Sequence, residues 1–280
     1  MRQEKSPKAT IMDFRATIPL LLLLLIGLCN AHPGNDHEAD TDTSATEDIT
    51  TTILRMNNGS SDFLLEGDVL VPRTRNAVKC LKKANSCLWP KSANRNVEIP
   101  FLLSKKYDNT EKNEILRAMK GFESKTCIRF IPRATQRAYL SIEPRYGCSS
   151  LLGRTGVKQV LSLQRFGCIR RGIIQHEILH ALGFYHEHTR PDRDRYIRIN
   201  WENVNEYFVF NFKKKDSDHL NTPYDYSSVM HYGRTAFGKF GSETIIPIPD
   251  SSVPIGQREG LSDIDILRIN RLYKCWNYIG

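Results

Sequence analysis

Crowded apolar positions mark four strand-like segments in the middle of the chain. Segment 97–103 (VEIPFLL) is apolar at most positions, which is typical of a buried strand. The shorter stretches 127–132, 138–143 and 157–163 have a similar character and also predict strands. The last of them could form a sheet edge that binds an extended peptide as an added strand, or it could be an ordinary interior strand, and the two readings are nearly balanced.

Helical spacing of apolar residues appears in three places. Cap-type residues at 108–110 precede a helix whose apolar face holds Ile115, Leu116, Met119 and Phe122. A second helix, over about 172–182, has an apolar side made of Ile173, Ile174, Ile178 and Leu179. A final helix over 264–273 is capped by residues 262–263 and ends close to a cysteine.

Regular patterns become sparse after Gly183. Segments 191–194 and 213–222 are loop-like, and the lysine run 213–215 is most simply a solvated loop without an assigned function. The region from residue 76 onward is long enough to bury one substantial core, or two lobes with a cleft between them.

The chain begins with a segment that does not belong to the folded domain. Residues 18–28 form an apolar run of eleven residues, preceded by Arg and Lys and followed by the small residue Ala31. The run is too short to span a bilayer and has the flanks of a secretory signal peptide. We therefore assign residues 1–31 to a signal peptide and expect a secreted protein without a membrane anchor after its removal.

Charge separates the following leader, residues 32–75, from the rest. The leader holds nine acidic residues and three arginines, whereas residues 76–280 hold 33 Lys and Arg against 20 Asp and Glu. An acidic leader on a basic secreted domain is typical of a propeptide, and we expect 36–52 to be disordered. Residues 71–75 (VPRTR) suggest trypsin-like cleavage after Arg75, which leaves Asn76 as the first residue of the mature domain.

Composition also limits the partners. A basic surface favours anionic partners such as acidic proteins or glycoproteins. The secretory route and the lack of a base-reading module argue against nucleic acid.

Beyond the signal peptide, six cysteines remain, at positions 80, 87, 127, 148, 168 and 275. In an oxidising compartment they predict three disulfides, and spacing alone leaves fifteen pairings open.

The strongest chemical signal lies at residues 176–190. His176 and His180 are four apart, so a helix places both on one face, where they can share a metal ion that Glu177 reaches through a bound water. Gly183 permits a sharp helix exit, after which His186 can become a third ligand. Three histidines with an open fourth position indicate a catalytic zinc site, and Met230 lies where a Met-turn is expected.

These residues, together with Arg190, 192–194 and Tyr232, strongly resemble the astacin family of zinc endopeptidases. The resemblance covers essentially the whole stretch from Asn76 to Cys275. Within the family the chain is most similar to the hatching enzymes (choriolysins) that dissolve the fish egg envelope, in detail closer to the low than to the high choriolytic type. Segments such as 125–132 (KTCIRFIP) and 221–226 (NTPYDY) carry the similarity to the hatching enzymes.

The resemblance implies an α+β, metzincin-like protease domain over residues 76–280. Its N-terminal lobe, about 76–183, would hold a mixed sheet and two long helices. Its C-terminal lobe, about 184–280, would be mostly irregular and end in a helix. The family pairing implies the disulfides Cys127–Cys275 and Cys148–Cys168, and hatching enzymes add a Cys80–Cys87 disulfide.

The resemblance also assigns roles at the centre. One Zn²⁺ per chain would be bound by His176, His180 and His186, with Tyr232 as a further ligand that swings away to stabilise the oxyanion. Glu177 would be the general base. Met230 would form the base of the site, while Asp68, in a segment similar to the family's FxGD motif, would ligate zinc and silence the zymogen. His188 and His231 are interpreted as neighbouring or surface residues, not as ligands.

Alternatives from other classes fit less well. A catalytically dead zinc-binding module predicts loss of Glu177, which is present. A basic lectin-like or matrix-binding protein explains charge and cysteines but not the histidines. We expect a secreted, monomeric protease that is stored in secretory granules as a zymogen. A trypsin-like protease would activate it, and its substrates would be egg-envelope glycoproteins. An astacin-like protease of adult tissue with broader substrates is the alternative.

Overall fold

The computed structural model describes residues 47–71, 87–257 and 259–279. The predicted signal peptide, the Arg75–Asn76 cleavage site and Cys80 therefore lie outside the described residues. Within the described part, no helix has the length and apolar character needed to cross a membrane.

The described part of the leader is folded. It contains helix α1 (Ile49–Asn57) and two short strands, β1 (Leu64–Leu65) and β2 (Val69–Leu70). The carboxylate of Asp48 caps α1 by accepting a 2.9 Å hydrogen bond from the Thr51 N–H. Ile53 is buried. The expected disorder is therefore wrong for residues 49–52, because a cap and a buried apolar face stabilise a helix there.

A seven-stranded sheet supports the metal centre. Beyond the leader its strands are β3 (Val97–Leu103), β4 (Ile128–Pro132), β5 (Tyr139–Glu143), β6 (Cys148–Ser150) and β7 (Lys158–Leu163). The order in the sheet is β1-β2-β6-β7-β5-β3-β4. Strands β3, β4, β5 and β7 are mutually parallel, while β6 is antiparallel to β7. The sheet is therefore mixed, as expected.

All four predicted strands form, but the edge hypothesis for 157–163 is wrong. Strand β7 lies inside the sheet, between β6 and β5. The edge next to the leader is β6, a three-residue strand that no pattern predicted, and β2 pairs with it in parallel at Val69 and Ser150. The leader thus adds a strand to the protease sheet.

Two long helices pack together beside this sheet. Helix α2 (Asn109–Glu123) begins with a capping box between Asp108 and Glu111. Helix α3 (Arg171–Leu182) is buried along almost its whole length, including all four predicted apolar residues. Leu116 was expected on the apolar face of α2 but is 40% exposed, because it lies one position past Ile115 and so points away from the core.

After Gly183 the chain is mostly irregular, as predicted. It contains short 3-10 helices, the longest of which is Glu206–Phe212, a two-stranded antiparallel sheet of β8 (Ile197–Ile199) and β9 (Ile245–Pro247), and helix α4 (Asp263–Leu272). Buried apolar residues form two clusters, one around the large sheet and one around β8 and β9. This division matches the expected two-lobed α+β fold.

Disulfides connect distant parts of the chain. Cys127 is bonded to Cys275, which ties the end of the C-terminal lobe to β4, and Cys148 is bonded to Cys168. Both pairings are those that the resemblance implied. Cys87 is also disulfide-bonded.

Candidate metal centre

Helix α3 and its C-terminal turn place three histidines close together. His176 and His180 are one helical turn apart on the same face, and both are buried. Gly183 ends the helix with φ 103°, a left-handed conformation that favours glycine. The chain then reverses direction and brings His186 against the first two, with ring centroids 5.0 and 4.7 Å away.

The Nε2 atoms of these histidines face one carboxylate from the leader. Asp68 Oδ2 lies 2.9 Å from His176 Nε2 and 3.2 Å from His186 Nε2, while Asp68 Oδ1 lies 3.3 Å from His180 Nε2. One ligand atom from each of the four residues falls within 4.8 Å of the others. The structure therefore brings together the three predicted zinc ligands and the predicted zymogen ligand.

The opposite nitrogens orient the imidazole rings. His176 Nδ1 lies 2.8 Å from the Val229 carbonyl, and His180 Nδ1 lies 2.8 Å from the Phe184 carbonyl. His186 Nδ1 lies 2.7 Å from Glu66 Oε2. A histidine whose Nδ1 donates to an oxygen presents a free lone pair on Nε2, which is the form that binds a metal.

The polar atoms left without hydrogen bonds fit a metal ion at this point. Asp68 Oδ1 and His180 Nε2 are buried and have no hydrogen-bond partner among the described residues. Such atoms carry a desolvation cost that a cation would offset. Three imidazoles with a carboxylate suit zinc. Although burial opposes it, the Asp68 and Glu66 carboxylates raise the pKa of His186 to about 9.

Glu177 is available for proton transfer. Its side chain is fully buried, and neither carboxylate oxygen has a hydrogen-bond partner in the described part of the chain. Burial and the nearby Asp68 carboxylate hold its pKa well above the ordinary value for Glu. An unpaired buried carboxyl group beside a metal site can act as a base for a water bound there.

Tyr232 contacts the leader in this structure. Its hydroxyl donates to the main-chain carbonyl of Glu66. Its ring stacks on His188 at a centroid distance of 3.8 Å and lies 4.7 Å from the ring of His186. His188 is therefore a buried neighbour of the centre, as one of its two interpretations held, and its Nε2 lies 3.0 Å from the Asn211 carbonyl.

The Met-turn is fixed by a carboxylate that the sequence analysis missed. Asp265, at the start of α4, accepts hydrogen bonds from Ser228 Oγ at 2.6 Å and from the Val229 N–H at 3.0 Å. Val229 in turn provides the carbonyl that orients His176. Met230 is buried in the large apolar cluster beside these residues. The signal available in the sequence was the capping box of α4, in which Asp265 also takes part.

Two further residues of the centre were missed. Glu66 was not assigned a role, and Lys215 was placed in a solvated loop. The structure contradicts the second interpretation, because Lys215 Nζ lies 3.1 Å from Glu66 Oε1 and its side chain is 18% exposed. No local sequence pattern indicates the contact between Glu66 and Lys215, because the two residues lie in segments far apart along the chain.

Glu187 belongs to a buried ion-pair network below the centre. Its carboxylate accepts from Arg268 Nη2 at 2.8 Å and from Arg190 Nη1 at 3.3 Å. It also accepts a 2.7 Å bond from the Asp225 N–H. Glu187 and Arg190 thus form a structural ion pair.

Comparison with known proteins agrees with this geometry. The sequence matches the family Astacin (Peptidase family M12A) over residues 83–274. It is 56% identical to the low choriolytic enzyme of Oryzias latipes and 49% identical to high choriolytic enzyme 1 of the same species, in each case over 271 residues that cover 94% of this chain and 100% of the relative. The solved structure of high choriolytic enzyme 1, described as a hatching enzyme zinc-protease, aligns with a TM-score of 0.67 at 53% identity and covers 71% of this chain and 100% of that one.

Proposed function

Because this chain belongs to the astacin family and is a metalloendopeptidase, we propose that it is a secreted zinc enzyme, made as a zymogen, that digests egg-envelope glycoproteins. One Zn²⁺ per chain would be held by His176, His180 and His186. The observation that carries this proposal is the convergence of three Nε2 atoms beside the unpaired carboxyl group of Glu177. Neither a binding module nor a structural zinc site explains a buried acid without a partner.

The bound zinc would polarise the scissile carbonyl and lower the pKa of a coordinated water. Glu177 would accept the proton of the attacking water and then deliver it to the leaving amine. Burial raises the pKa of Glu177 and so makes its carboxylate a stronger base for this proton. The ring orientations set by Val229 and Phe184 keep two of the imidazoles in place throughout.

Tyr232 would stabilise the negative charge that develops on the substrate carbonyl oxygen. Its hydroxyl already donates to a carbonyl oxygen at the centre, that of Glu66. Stacking on His188 holds the ring at this position. Once the leader has left, a substrate oxygen can take the place of the Glu66 oxygen, and an oriented donor of this kind contributes about 3–4 kcal/mol to the transition state.

The leader would act as a propeptide. Its strand β2 lies on the edge strand β6, and Asp68 occupies the point on which the histidines converge. A substrate could not reach the centre while these contacts exist. Trypsin-like cleavage between Arg75 and Asn76 would free the leader, and the mature domain would start at Asn76.

The substrate assignment follows from similarity to two choriolytic enzymes that match over their full length. An excess of 33 Lys and Arg over 20 Asp and Glu in residues 76–280 suits an acidic glycoprotein substrate. We further propose that the protein is a monomer and that it passes through secretory granules.

The test is digestion of isolated egg envelope by protein matured at Arg75, in parallel with the Glu177→Gln variant and with wild type plus a zinc chelator. We expect envelope softening that both controls abolish. Cleavage of casein without any effect on the envelope would support the protease activity but contradict the egg envelope as its substrate. Activity that survives in Glu177→Gln would overturn the proposed mechanism.

A further inference from the structure

The three histidines differ in where their orienting partners come from. The carbonyls that face His176 and His180 belong to Val229 and Phe184, both within the protease domain. The partner of His186 is Glu66, in the leader. Of the three imidazoles, only that of His186 is therefore oriented by a group that cleavage of the leader would remove.

Glu66 is held as firmly as a residue of the protease core. Its side chain is fully buried, with Oε2 2.7 Å from His186 Nδ1 and Oε1 3.1 Å from Lys215 Nζ. Its main-chain N–H donates to Asn211 Oδ1 at 2.8 Å, and its carbonyl accepts from Tyr232. Each of its polar groups is thus matched by a group of the protease domain.

The backbone turns sharply to bring this carboxylate inward. Glu66 and Gly67 have φ values of 54° and 81°, both in the left-handed region. A Cβ atom at Gly67 would lie 2.3 Å from Leu54 Cδ2, so only glycine fits there. The turn places Glu66 and Asp68 on the same histidine cluster, at His186 Nδ1 and at the Nε2 atoms respectively.

A carboxylate on the outer nitrogen of a metal-binding histidine has a known physical effect. It fixes the tautomer that leaves Nε2 free, holds the ring plane and makes Nε2 more basic. Removal of such a partner typically weakens metal binding by about 10- to 100-fold. A main-chain carbonyl orients the ring as well, but it carries no net charge.

We propose that Glu66 is a positioning residue for the metal centre of the zymogen, and that its carboxylate slows zinc loss through His186 for as long as the leader remains bound. This inference rests on the proposed zymogen function. It gives the leader two separate tasks at the centre, because Asp68 blocks the open coordination position while Glu66 strengthens one ligand.

Lys215 completes this arrangement. A buried carboxylate is costly unless it is paired, and Lys215 provides the positive charge on the side away from His186. When the leader leaves, Lys215 stays in the domain and His186 loses its anionic partner. The mature enzyme is therefore expected to release zinc faster than the zymogen.

The experiment uses the full-length, uncleaved chain loaded with one zinc and challenged with excess chelator, with the release rate followed by a zinc-sensitive dye. Glu66→Gln should release zinc about 10- to 100-fold faster than wild type. The matched control is Asn57→Ala, which loosens the leader by removing the hydrogen bonds of Asn57 to Cys148 and to the Gly67 carbonyl, but keeps the carboxylate of Glu66 and does not touch the histidines. Hydrolysis of a short peptide by each uncleaved variant measures how far the leader has opened.

At equal leader opening, faster zinc release from Glu66→Gln than from Asn57→Ala supports the inference. A shift in the visible spectrum of the cobalt-loaded chain in Glu66→Gln, but not in Asn57→Ala at equal leader opening, would support it independently, because only Glu66→Gln replaces the anionic partner of His186. After cleavage, wild type and Glu66→Gln yield the same mature polypeptide, and their release rates should coincide.

Equal release from Glu66→Gln and wild type would overturn the role of Glu66 and leave the zymogen proposal intact. Other results would contradict the proposed function itself. A wild-type chain that binds no zinc, or an Asp68→Asn chain that stays as silent as wild type before cleavage, would contradict the zinc enzyme or its silencing by the leader.

Discussion

The side chains of the centre fall into those whose polar atoms are held and those whose polar atoms are left free. The Nδ1 atoms of the three histidines each face an oxygen. The carboxylate oxygens of Glu177 have no partner among the described residues. In a folded protein most buried polar atoms are paired, so the free atoms of Asp68, His180 and Glu177, which lie together at the centre, mark the positions where a metal and a reacting water belong.

Tyr232 allows a prediction at the level of one atom. Loss of its hydroxyl in Tyr232→Phe should reduce kcat of the mature enzyme by about 10²- to 10³-fold and leave KM nearly unchanged, because the hydroxyl would act only when charge develops on the substrate oxygen. Zinc content should stay at one per chain, since the histidines hold the ion. Steady-state kinetics with a quenched peptide and metal analysis check both.

The same variant has a second consequence in the uncleaved chain. Tyr232→Phe removes a hydrogen bond to the Glu66 carbonyl and should therefore loosen the leader, so that hydrolysis by the uncleaved variant rises as a fraction of the activity of its own mature form. Unchanged kcat in the mature variant would mean that Tyr232 serves only to pack against His188.

The residues of the centre differ in how far the sequence reveals them. The spacing of His176, His180 and His186 is local information, because the helix and Gly183 alone bring them together. Glu66 and Lys215 are brought together by the docking of the leader, so no local pattern contains their contact. Residues whose role depends on tertiary packing are those that the sequence analysis missed.

At the scale of elements, the leader occupies the edge strand on which we propose that an extended peptide substrate binds. Strand β2 pairs with the edge strand β6, and Asn57, at the end of α1, bonds to both the N–H and the C=O of Cys148 in that strand. An edge strand has unpaired main-chain groups that accept another strand. Under this proposal, the leader and a substrate would compete for one edge.

The start of α4 carries a prediction about the Met-turn. Asp265→Asn should lower the free energy of unfolding by about 1–3 kcal/mol, because an amide cannot accept all the hydrogen bonds from Ser228, Val229 and Ser262 that the carboxylate accepts. Zinc affinity should fall as well, since Val229 orients His176. Denaturant unfolding and metal competition measure the two effects.

Asp263 provides the matched control in the same helical turn. Its side chain is 99% exposed and lies 3.7 Å from Lys125 Nζ, so Asp263→Asn should change stability by less than about 0.5 kcal/mol. Equal effects of the two substitutions would show that Asp265 acts only through its negative charge in the first turn of α4, and that the Met-turn does not depend on its hydrogen bonds.

Elements with long or regular patterns were predicted well, and short ones were not. Strand β3 and helix α3 follow from apolar runs of several residues. Strand β6 has three residues, and its character as a strand arises from its pairing with β7 and the leader. Helix α1 was missed because its acidic, Thr-rich surroundings resemble disordered sequence, while its buried face exists only against the protease domain.

At the scale of the whole molecule, two apolar clusters of different size stabilise the fold. The larger one surrounds the seven-stranded sheet and includes residues from α1, so the described leader contributes to the same core as the protease domain. The smaller cluster surrounds β8 and β9. With little regular structure in the C-terminal lobe, covalent connection to the larger core becomes important there.

The two described disulfides should therefore differ in their contribution to stability. In the chain-entropy description, Cys127–Cys275 closes a separation of 148 residues and Cys148–Cys168 one of 20. The predicted contributions are about 5 and about 3 kcal/mol respectively. The double variant Cys127→Ser/Cys275→Ser should thus lower the free energy of unfolding more than Cys148→Ser/Cys168→Ser, as denaturant titration of the Glu177→Gln chain, which cannot digest itself, would measure. If the shorter link proves the more important, the reason lies in the position of Cys148 on β6, because loss of that link would disturb the edge on which the leader docks.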